Sequence, residues 1–319
     1  MTTLGTGDGL SLYSPSMQKS VKTNRGKRPF ISYNHQLNLF LLPYLLGSLL
    51  LVLIPALITL VAAFTDYDLV AAPVWVGLDN FRRLFQSAFV RTGLENSIFF
   101  IALAVPLRLL GALSLALLLQ NKRRLFGLHR AAVYVPTVIP PVAYALLWLW
   151  IFNPVYGPLN ITLGWLGLPT PAWLANPDSA RTSIVIMSLF QIGEGFVVLM
   201  AGLQTIPRSF YESAKVDGAS GLQSFAKITL PLITPWLLLL TFRDLLVSVE
   251  STFTPSFVMT YGGPNYATTF APLLVYELAF DFFDFGLAAA FMVSFFILMI
   301  MLIVSIIAIV GLQGVTDEA

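Results

Sequence analysis

Cysteine is absent from the chain, and histidine occurs only at His35 and His129. The absence of cysteine excludes disulfides and thiolate chemistry, and two histidines so far apart argue against a histidine-built metal site. The phosphate-binding pattern G-x-x-x-x-G-K-[ST] is also missing. We therefore expect a non-catalytic chain that holds no cofactor and does not hydrolyse ATP itself.

Charge is the second property that the chain has little of. Only 11% of its residues are charged, whereas a soluble protein carries roughly 25%. The hydrophobic fraction is 57% and the mean hydropathy is +0.80. Because a water-soluble fold cannot bury so much apolar surface, the composition predicts an integral membrane protein. The net charge of +2 gives no reason to expect a nucleic-acid partner.

Six apolar runs are long enough to cross a bilayer, for which a helix needs about 20 residues. We place them at residues 38–64, 97–120, 131–152, 183–204, 235–257 and 285–312. The third run contains Pro136, Pro140 and Pro141, which predict a kink or a break in that helix. The sequence thus predicts an all-α integral membrane protein with six transmembrane helices and a membrane domain over residues 37–314.

Basic residues are concentrated in one set of polar segments. Segments 1–36, 121–130 and 206–234 hold most of the lysines and arginines, whereas segment 258–284 holds none and is acidic. Because cytoplasmic loops are enriched in lysine and arginine, this bias predicts that both termini, 1–36 and 315–319, are cytoplasmic. The polar segment 1–36 is predicted to be a disordered tail.

A polar segment between the fourth and fifth runs, residues 211–235, is the most informative feature of the chain. It reads as two short helical pieces hinged at Gly218, which tolerates a left-handed backbone, with Pro231 and Pro235 ending the second piece. Small and acidic residues around the hinge suit a docking surface for a cytosolic partner; the alternative is a connector without a partner. The docking residues are Glu212, Ser213, Ala214, Asp217, Gly218 and Ala219. The residues expected to pack against the membrane helices are Phe225, Ile228 and Leu230.

This segment resembles the EAA loop of bacterial ABC importer permeases. Residues 76–81 (V-G-L-D-N-F) resemble their G-L-x-N-[FY] element, and residues 261–264 (Y-G-G-P), with 286–289 downstream, resemble their GGP loop and the start of their last helix. The likeness covers residues 38–312 and points to the carbohydrate-uptake branch, the maltose and glycerol-phosphate type. Ser213 departs from the usual alanine, but serine is small enough for docking to survive.

The resemblance implies a multi-component importer in a bacterial or archaeal cytoplasmic membrane. Its parts would be an ATPase dimer that binds ATP and magnesium, a second homologous permease, and an extracytoplasmic substrate-binding protein. Segment 206–234 would be a coupling helix-turn-helix that docks on the ATPase. The second permease would form a heterodimer or a homodimer with this chain, and the solute would be a sugar or a related polyhydroxy compound. The GGP loop would either contact the binding protein or form a plain turn.

Polar side chains inside the spans mark the predicted solute pathway, since such residues face a cavity or each other. Gln191 and Glu194 are predicted to share one face of helix four, and Asp244, Ser248 and Ser251 form a stripe on helix five. Carboxylates and amides accept hydrogen bonds from sugar hydroxyls, so we predict that these five residues line the pathway.

A structural alternative stays open for the same region. Arg243 would pair with Glu194 or with a carboxylate of a neighbouring subunit, and Glu250 lies seven residues from Arg243. Arg108 would snorkel or pair with a carboxylate rather than touch the solute. The two serines would bond back to their helix backbone. A secondary solute transporter is the alternative function, but it would need an internal repeat and symmetric ion-coupling sites, which we do not find. An intramembrane enzyme would need a reactive pair such as Ser/Lys, or an aspartate or metal-binding site, whereas no span has a lysine or histidine near its centre and the sequence shows no metal-binding cluster.

Overall fold

The computed structural model describes residues 33–120 and 126–316. It separates into two units, Met1–Pro55 and Ala56–Ala319. In the first unit, helix α1 (Tyr33–Ser48) is followed by a π-helical turn, Leu49–Leu53, and α2 (Ile54–Ala62) begins at the end of that unit. The predicted tail up to residue 32 and the basic residues of 121–125 lie outside the described residues.

The second unit is almost wholly helical. Strands β1 (Thr65–Asp66) and β2 (Val74–Trp75) pair antiparallel, with Thr65 opposite Trp75. The helices are α3 (Asp79–Gln86), α4 (Ala88–Leu118), α5 (Phe126–Val138), α6 (Pro141–Ile151), α7 (Pro158–Trp165), α8 (Pro177–Ser188), α9 (Gly193–Thr205), α10 (Arg208–Val216), α11 (Gly221–Ser224), α12 (Leu230–Ser251), α13 (Phe253–Pro255), α14 (Ala271–Tyr276) and α15 (Phe285–Thr316). π-Helical turns are found at Phe225–Thr229, Ser256–Thr260 and Glu277–Asp281.

Long apolar helices give the chain its membrane character. Among the described residues, four continuous helices are long and apolar enough to cross a bilayer: Asn38–Ala62, Ala88–Leu118, Gly221–Thr260 and Phe285–Ile309. Two bent pairs, α5 with α6 and α8 with α9, would each make one more span. The predicted all-α membrane fold is confirmed, with four to six spans.

The bent pairs have different causes. The helix axis bends by 102° between α5 and α6, just before Pro141. Proline has no backbone N–H to donate, and its ring clashes with the preceding turn of a helix. This break is the one that the prolines predict. The helix axis bends by 44° between α8 and α9, across residues 189–192, where the sequence predicts a continuous helix. Gln191 lies in that break and Glu194 in the first turn of α9, so the prediction that they share one helix face is wrong.

Helix five also differs from its prediction. Pro231 and Pro235 do not end a short helix, because the helix continues through both from Gly221 to Thr260. A π-helical turn, Phe225–Thr229, directly precedes Pro231. Such a turn changes the hydrogen-bonding ladder locally and accommodates the missing N–H and the ring of a proline.

Helix α4 is at the centre of the second unit, where it packs against α8, α9, α12 and α14. Apolar clusters fill the surrounding contacts. One includes Phe291 of α15, another Phe152 beside α6 and α8, and a third Phe196 of α9 with α12. Phe152 and Phe196 are fully buried, and between helices in a bilayer such side chains contribute through van der Waals packing.

The G-L-D-N-F element forms a structural clasp. The side chain of Asn80 is buried and donates to the carbonyl oxygens of Ala63 (3.1 Å) and Thr65 (2.8 Å). It accepts a hydrogen bond from Arg83 at 3.2 Å, and Arg83 pairs with Asp284 just before α15. The clasp therefore fixes α3 between the end of α2 and the start of the last helix.

Candidate functional site

An ion-pair network joins α4, α9 and α12. Arg108 on α4 is buried, and its Nε and Nη2 lie 3.0 and 2.9 Å from Oδ2 of Asp244 on α12. Arg108 also donates to the hydroxyl of Ser248, one turn further along α12. Because a buried charge needs a partner, Asp244 and Ser248 hold Arg108 in place. Of the two alternatives for Arg108, snorkelling or pairing with a carboxylate, the structure has the pairing.

Arg243 completes the network on its more exposed side. It pairs with Glu194 in the first turn of α9 and lies 3.8 Å from Oδ1 of Asp244. The pairing of Arg243 with Glu194 is the one that the structural alternative anticipates. Two arginines and two carboxylates meet here, so the network as a whole carries no net charge.

A cavity of about 550 Å³ lies beside the network. It is lined by residues of α6, of α8 and the break after it, of the end of α12, of α13 and of α14. Its volume falls within the range of about 300–1,000 Å³ typical of small-molecule sites. The polar side chains that line it are Gln191, Glu250, Ser251 and Thr254, and the aromatic ones are Tyr144 and Phe253. No cluster of three or more metal-ligating side chains occurs within residues 33–120 and 126–316.

The predicted pathway residues divide between these two features. Gln191 and Ser251 line the cavity, whereas the other three belong to the ion-pair network: Glu194, Asp244 and Ser248. Gln191 also lines a pocket of about 20 Å³ that reaches Arg108 and Asp244, so it lies between cavity and network. The hydroxyl of Ser251 donates to the carbonyl of Ser248 at 3.2 Å, as the back-bonding alternative predicts.

Glu250 has a different position from the one that sequence reasoning suggested. It lines the cavity, is exposed, and forms no ion pair with any residue of the described ranges. Seven residues of helix separate it from Arg243, which is about 10 Å along the axis and too far for an ion pair. No pattern in the sequence distinguishes Glu250 from Asp244, because only packing decides which carboxylate meets an arginine.

The predicted docking segment has a well-defined backbone. Helix α10 ends in a Schellman motif, in which Ala219 N–H donates to Ala214 O at 2.8 Å and Gly218 N–H donates to Lys215 O at 3.1 Å. Gly218 has φ +75°, which glycine adopts without strain. Ser220 then caps α11, and it forms a reciprocal capping box with Gln223. The Schellman motif and the capping box therefore end α10 and begin the long helix within a few residues.

Most of the predicted docking residues are exposed on this turn. Glu212, Ser213, Asp217 and Gly218 are exposed, while Ala214 and Ala219 are half-buried. Sequence reasoning missed two apolar side chains beside them, Val216 at 88% exposure and Leu222 at 78%. The sequence does contain a signal for them, because Val216 and Leu222 are apolar and stand on either side of the predicted hinge Gly218. Apolar residues in such a polar turn are not covered by the rest of their own chain.

The turn is anchored to the membrane helices behind it. The hydroxyl groups of Tyr211 and Thr229 lie 2.9 Å apart. Phe225 and Ile228 pack against the cluster that contains Phe196, as expected. Leu230 does not; it is 38% exposed, because it lies on the outer face of the continuous helix. Motion of α10 is therefore tied mechanically to α9 and α12.

The GGP loop is folded tightly over the start of α14. A Cβ on Gly262 would overlap Oγ1 of Thr269, and Gly262 has φ +78°, so only glycine fits there. Beneath it, Glu277 is 6% exposed, and its Oε2 has no hydrogen-bond partner within the described part of the chain. Burial, and then repulsion from Asp281, raises the pKa of Glu277 to about 7.

Comparison with known proteins agrees with this architecture. Residues 108–315 match the family described as the binding-protein-dependent transport system inner membrane component. The chain is 36% identical over 259 residues to the probable ABC transporter permease protein YesP of Bacillus subtilis, covering 79% of this chain and 82% of the relative. It is 32% identical over 265 residues to the trehalose/maltose transport system permease protein MalF of Thermococcus litoralis, covering 82% and 89%.

A solved structure has the same fold. It is a crystal structure of a bacterial ABC transporter involved in the import of the acidic polysaccharide alginate. The similar chain superposes with a TM-score of 0.74 at 25% identity, covering 84% of this chain and 92% of that one. The family match covers residues 108–315, and the two relatives are matched over 82% and 89% of their own length. The chain belongs to the inner membrane component family of binding-protein-dependent ABC transport systems.

Proposed function

We propose that this chain forms half of the translocation pathway of an ABC importer for a sugar or a related polyhydroxy solute. The cavity lined by Gln191, Glu250 and Ser251 is the solute pathway, and the turn formed by α10 and α11 docks on a separate ATPase. ATP and magnesium bind to that ATPase and not to this chain.

One observation carries the proposal: a single helix, Gly221–Thr260, connects the docking turn to the cavity. Leu222 lies in its first turn, and Ser251 lies 29 residues further on, which is about 44 Å at 1.5 Å per residue. A helix transmits a displacement of one end to the other, because its backbone hydrogen bonds resist compression. Movement of the ATPase against α10 and α11 would therefore shift Glu250 and Ser251 at the cavity.

The distribution of charge supports a cytoplasmic position for the docking turn. Arg208, Lys215 and Lys227 lie in or beside it, whereas the segment between helix five and α15 carries Glu277, Asp281 and Asp284 and no basic residue. Lysine and arginine favour the cytoplasmic side. The exposed apolar Val216 and Leu222 then face the cytosol, where only a protein partner can cover them.

The remaining partners follow from the family and from geometry. The family is named for its dependence on a binding protein, which we assign to the opposite side of the membrane. One set of four to six spans surrounds only one side of a pathway, so a second permease, homologous or identical, faces the cavity.

The test is uptake by the assembled transporter in vesicles, with labelled maltose as the probe and with Glu212→Ala. We expect ATP-dependent uptake by the native protein, and loss of uptake in the variant with normal membrane insertion. Glu95→Ala removes another exposed carboxylate, on α4, and serves as the matched control, with uptake unchanged. Uptake that proceeds without ATP would contradict the proposal and favour a secondary transporter.

A further inference from the structure

The cavity carries a single fixed charge among the described residues that line it. Glu250 is exposed to the cavity and unpaired within those residues, while its polar neighbours Gln191, Ser251 and Thr254 are neutral. The hydroxyl of Tyr144 already donates to the carbonyl of Met187 at 2.8 Å. The described lining therefore offers hydrogen-bond acceptors and donors, and no positive charge.

The arginines next to the cavity are each paired with a carboxylate of this chain. Arg108 is buried against Asp244 and Ser248, and Arg243 is paired with Glu194. Arg108 is buried, so it would have to exchange Asp244 for a solute, which would leave that carboxylate unpaired. The network of two arginines and two carboxylates thus adds no net positive potential to the cavity.

We infer that Glu250 makes this cavity select uncharged saccharides and reject acidic ones. This inference rests on the proposed function of the cavity as the solute pathway. A sugar hydroxyl donates to the Glu250 carboxylate, and hydrogen bonds to a charged acceptor are stronger than those between neutral groups. An acidic sugar places its own carboxylate near Glu250, and two like charges a few ångströms apart repel each other.

The first test measures the potential inside the cavity without requiring knowledge of the natural solute. The chain has no cysteine, so Ser251→Cys introduces one reactive thiol beside Glu250. The assembled transporter is treated with methanethiosulfonate reagents of similar size that carry a positive or a negative charge, and the mass of this chain is followed over time. We expect the cationic reagent to react faster. Adding Glu250→Gln should lower the ratio of the two rates by about tenfold.

Glu95→Gln is the matched control for that charge change. Glu95 is an exposed carboxylate on α4 outside the cavity lining, so its removal alters the net charge equally and should leave the rate ratio unchanged. A ratio that Glu250→Gln fails to change would overturn the inference and leave the proposed function standing. A thiol at position 251 that neither reagent modifies would instead contradict the proposed function, because a solute pathway must be accessible.

The second test measures selectivity directly. Equilibrium dialysis of the assembled transporter compares methyl glucoside with methyl glucuronide, its acidic counterpart, at pH 7. We expect the native protein to bind the neutral sugar at least about tenfold more tightly, and Glu250→Gln to reduce that preference by about tenfold. Equal binding of the two sugars by the native protein, binding of neither, or a preference that the variant retains would overturn the inference.

Discussion

Breaking the ion pair between Arg108 and Asp244 tests whether these two residues stabilise the fold rather than line the solute pathway. Asp244→Asn keeps the size and shape of the side chain and removes its charge. Arg108 would then remain buried with only the hydroxyl of Ser248 and a neutral amide as partners. Arg243, which lies 3.8 Å from Oδ1 of Asp244, would keep its pairing with Glu194, and a second arginine cannot replace the lost carboxylate.

The expected cost is large for a single conservative substitution. Removing one partner of a buried ion pair destabilises a protein by about 3–5 kcal/mol, because the remaining charge is left unpaired. Replacing both partners, with Arg108→Met and Asp244→Asn together, removes the unpaired charge. The double variant should therefore lose less stability than the two single variants combined, with a coupling energy of about 2 kcal/mol.

The assay is thermal inactivation in detergent, followed as the half-life of the folded fraction at a fixed temperature for the native chain, both single variants and the double variant. Glu250→Gln is the control, because the carboxylate of Glu250 lies on the same helix and has no ion-pair partner among the described residues. The half-life of this variant should equal that of the native chain. Strictly additive effects, or single variants as stable as the native chain, would refute the account of Arg108 as a structural charge.

Three further predictions concern other parts of the chain. Glu277 has a folded-state pKa of about 7, above its ordinary value of 4.5, so it favours the folded state less as pH rises. Stability should fall between about pH 4.5 and 7, by up to roughly 3 kcal/mol, and level off above pH 7; Glu277→Gln should abolish that fall in thermal melts recorded across this range. Asn80→Ala leaves two carbonyl oxygens without their donor and should cost about 2 kcal/mol in melts at neutral pH, whereas an unchanged melting temperature would contradict the clasp. Gly218→Ala adds a side chain with no neighbour within 4 Å but strains the left-handed turn by about 1 kcal/mol. It should leave membrane insertion normal and reduce coupled ATPase activity, and full coupling would contradict the role of the turn.

The membrane fold could be predicted from the sequence because long apolar runs have few alternatives in a lipid environment. The last helix begins at Phe285, where the apolar pattern begins, and the break before Pro141 follows from proline chemistry. The second span was harder to predict. Helix α4 begins at Ala88 rather than at residue 97: the side chain of Ser87 caps it by accepting from Val90 N–H, and Asn96 and Ser97 within it bond to residues 266–271.

The side chains of the cavity were only partly predictable. Periodicity identified Asp244, Ser248 and Ser251 as one stripe, and they do follow one another along α12. Periodicity could not show that Arg108, 136 residues away from Asp244, pairs with Asp244 and donates to Ser248. The break between α8 and α9 has no proline within it, so nothing local to the sequence separates Gln191 from the helix that carries Glu194.

The central claim is that the turn formed by α10 and α11 docks on an ATPase, and cross-linking tests it most directly. Because the chain has no cysteine, Val216→Cys supplies a unique thiol at the exposed tip, and Val155→Cys supplies one in an exposed loop after α6. A short bifunctional thiol- and amine-reactive reagent is applied to membranes that contain the assembled transporter. The account predicts an adduct between position 216 and the ATPase subunit, altered by ATP, and none from position 155. An ATPase adduct from position 155, or none from position 216, would contradict it.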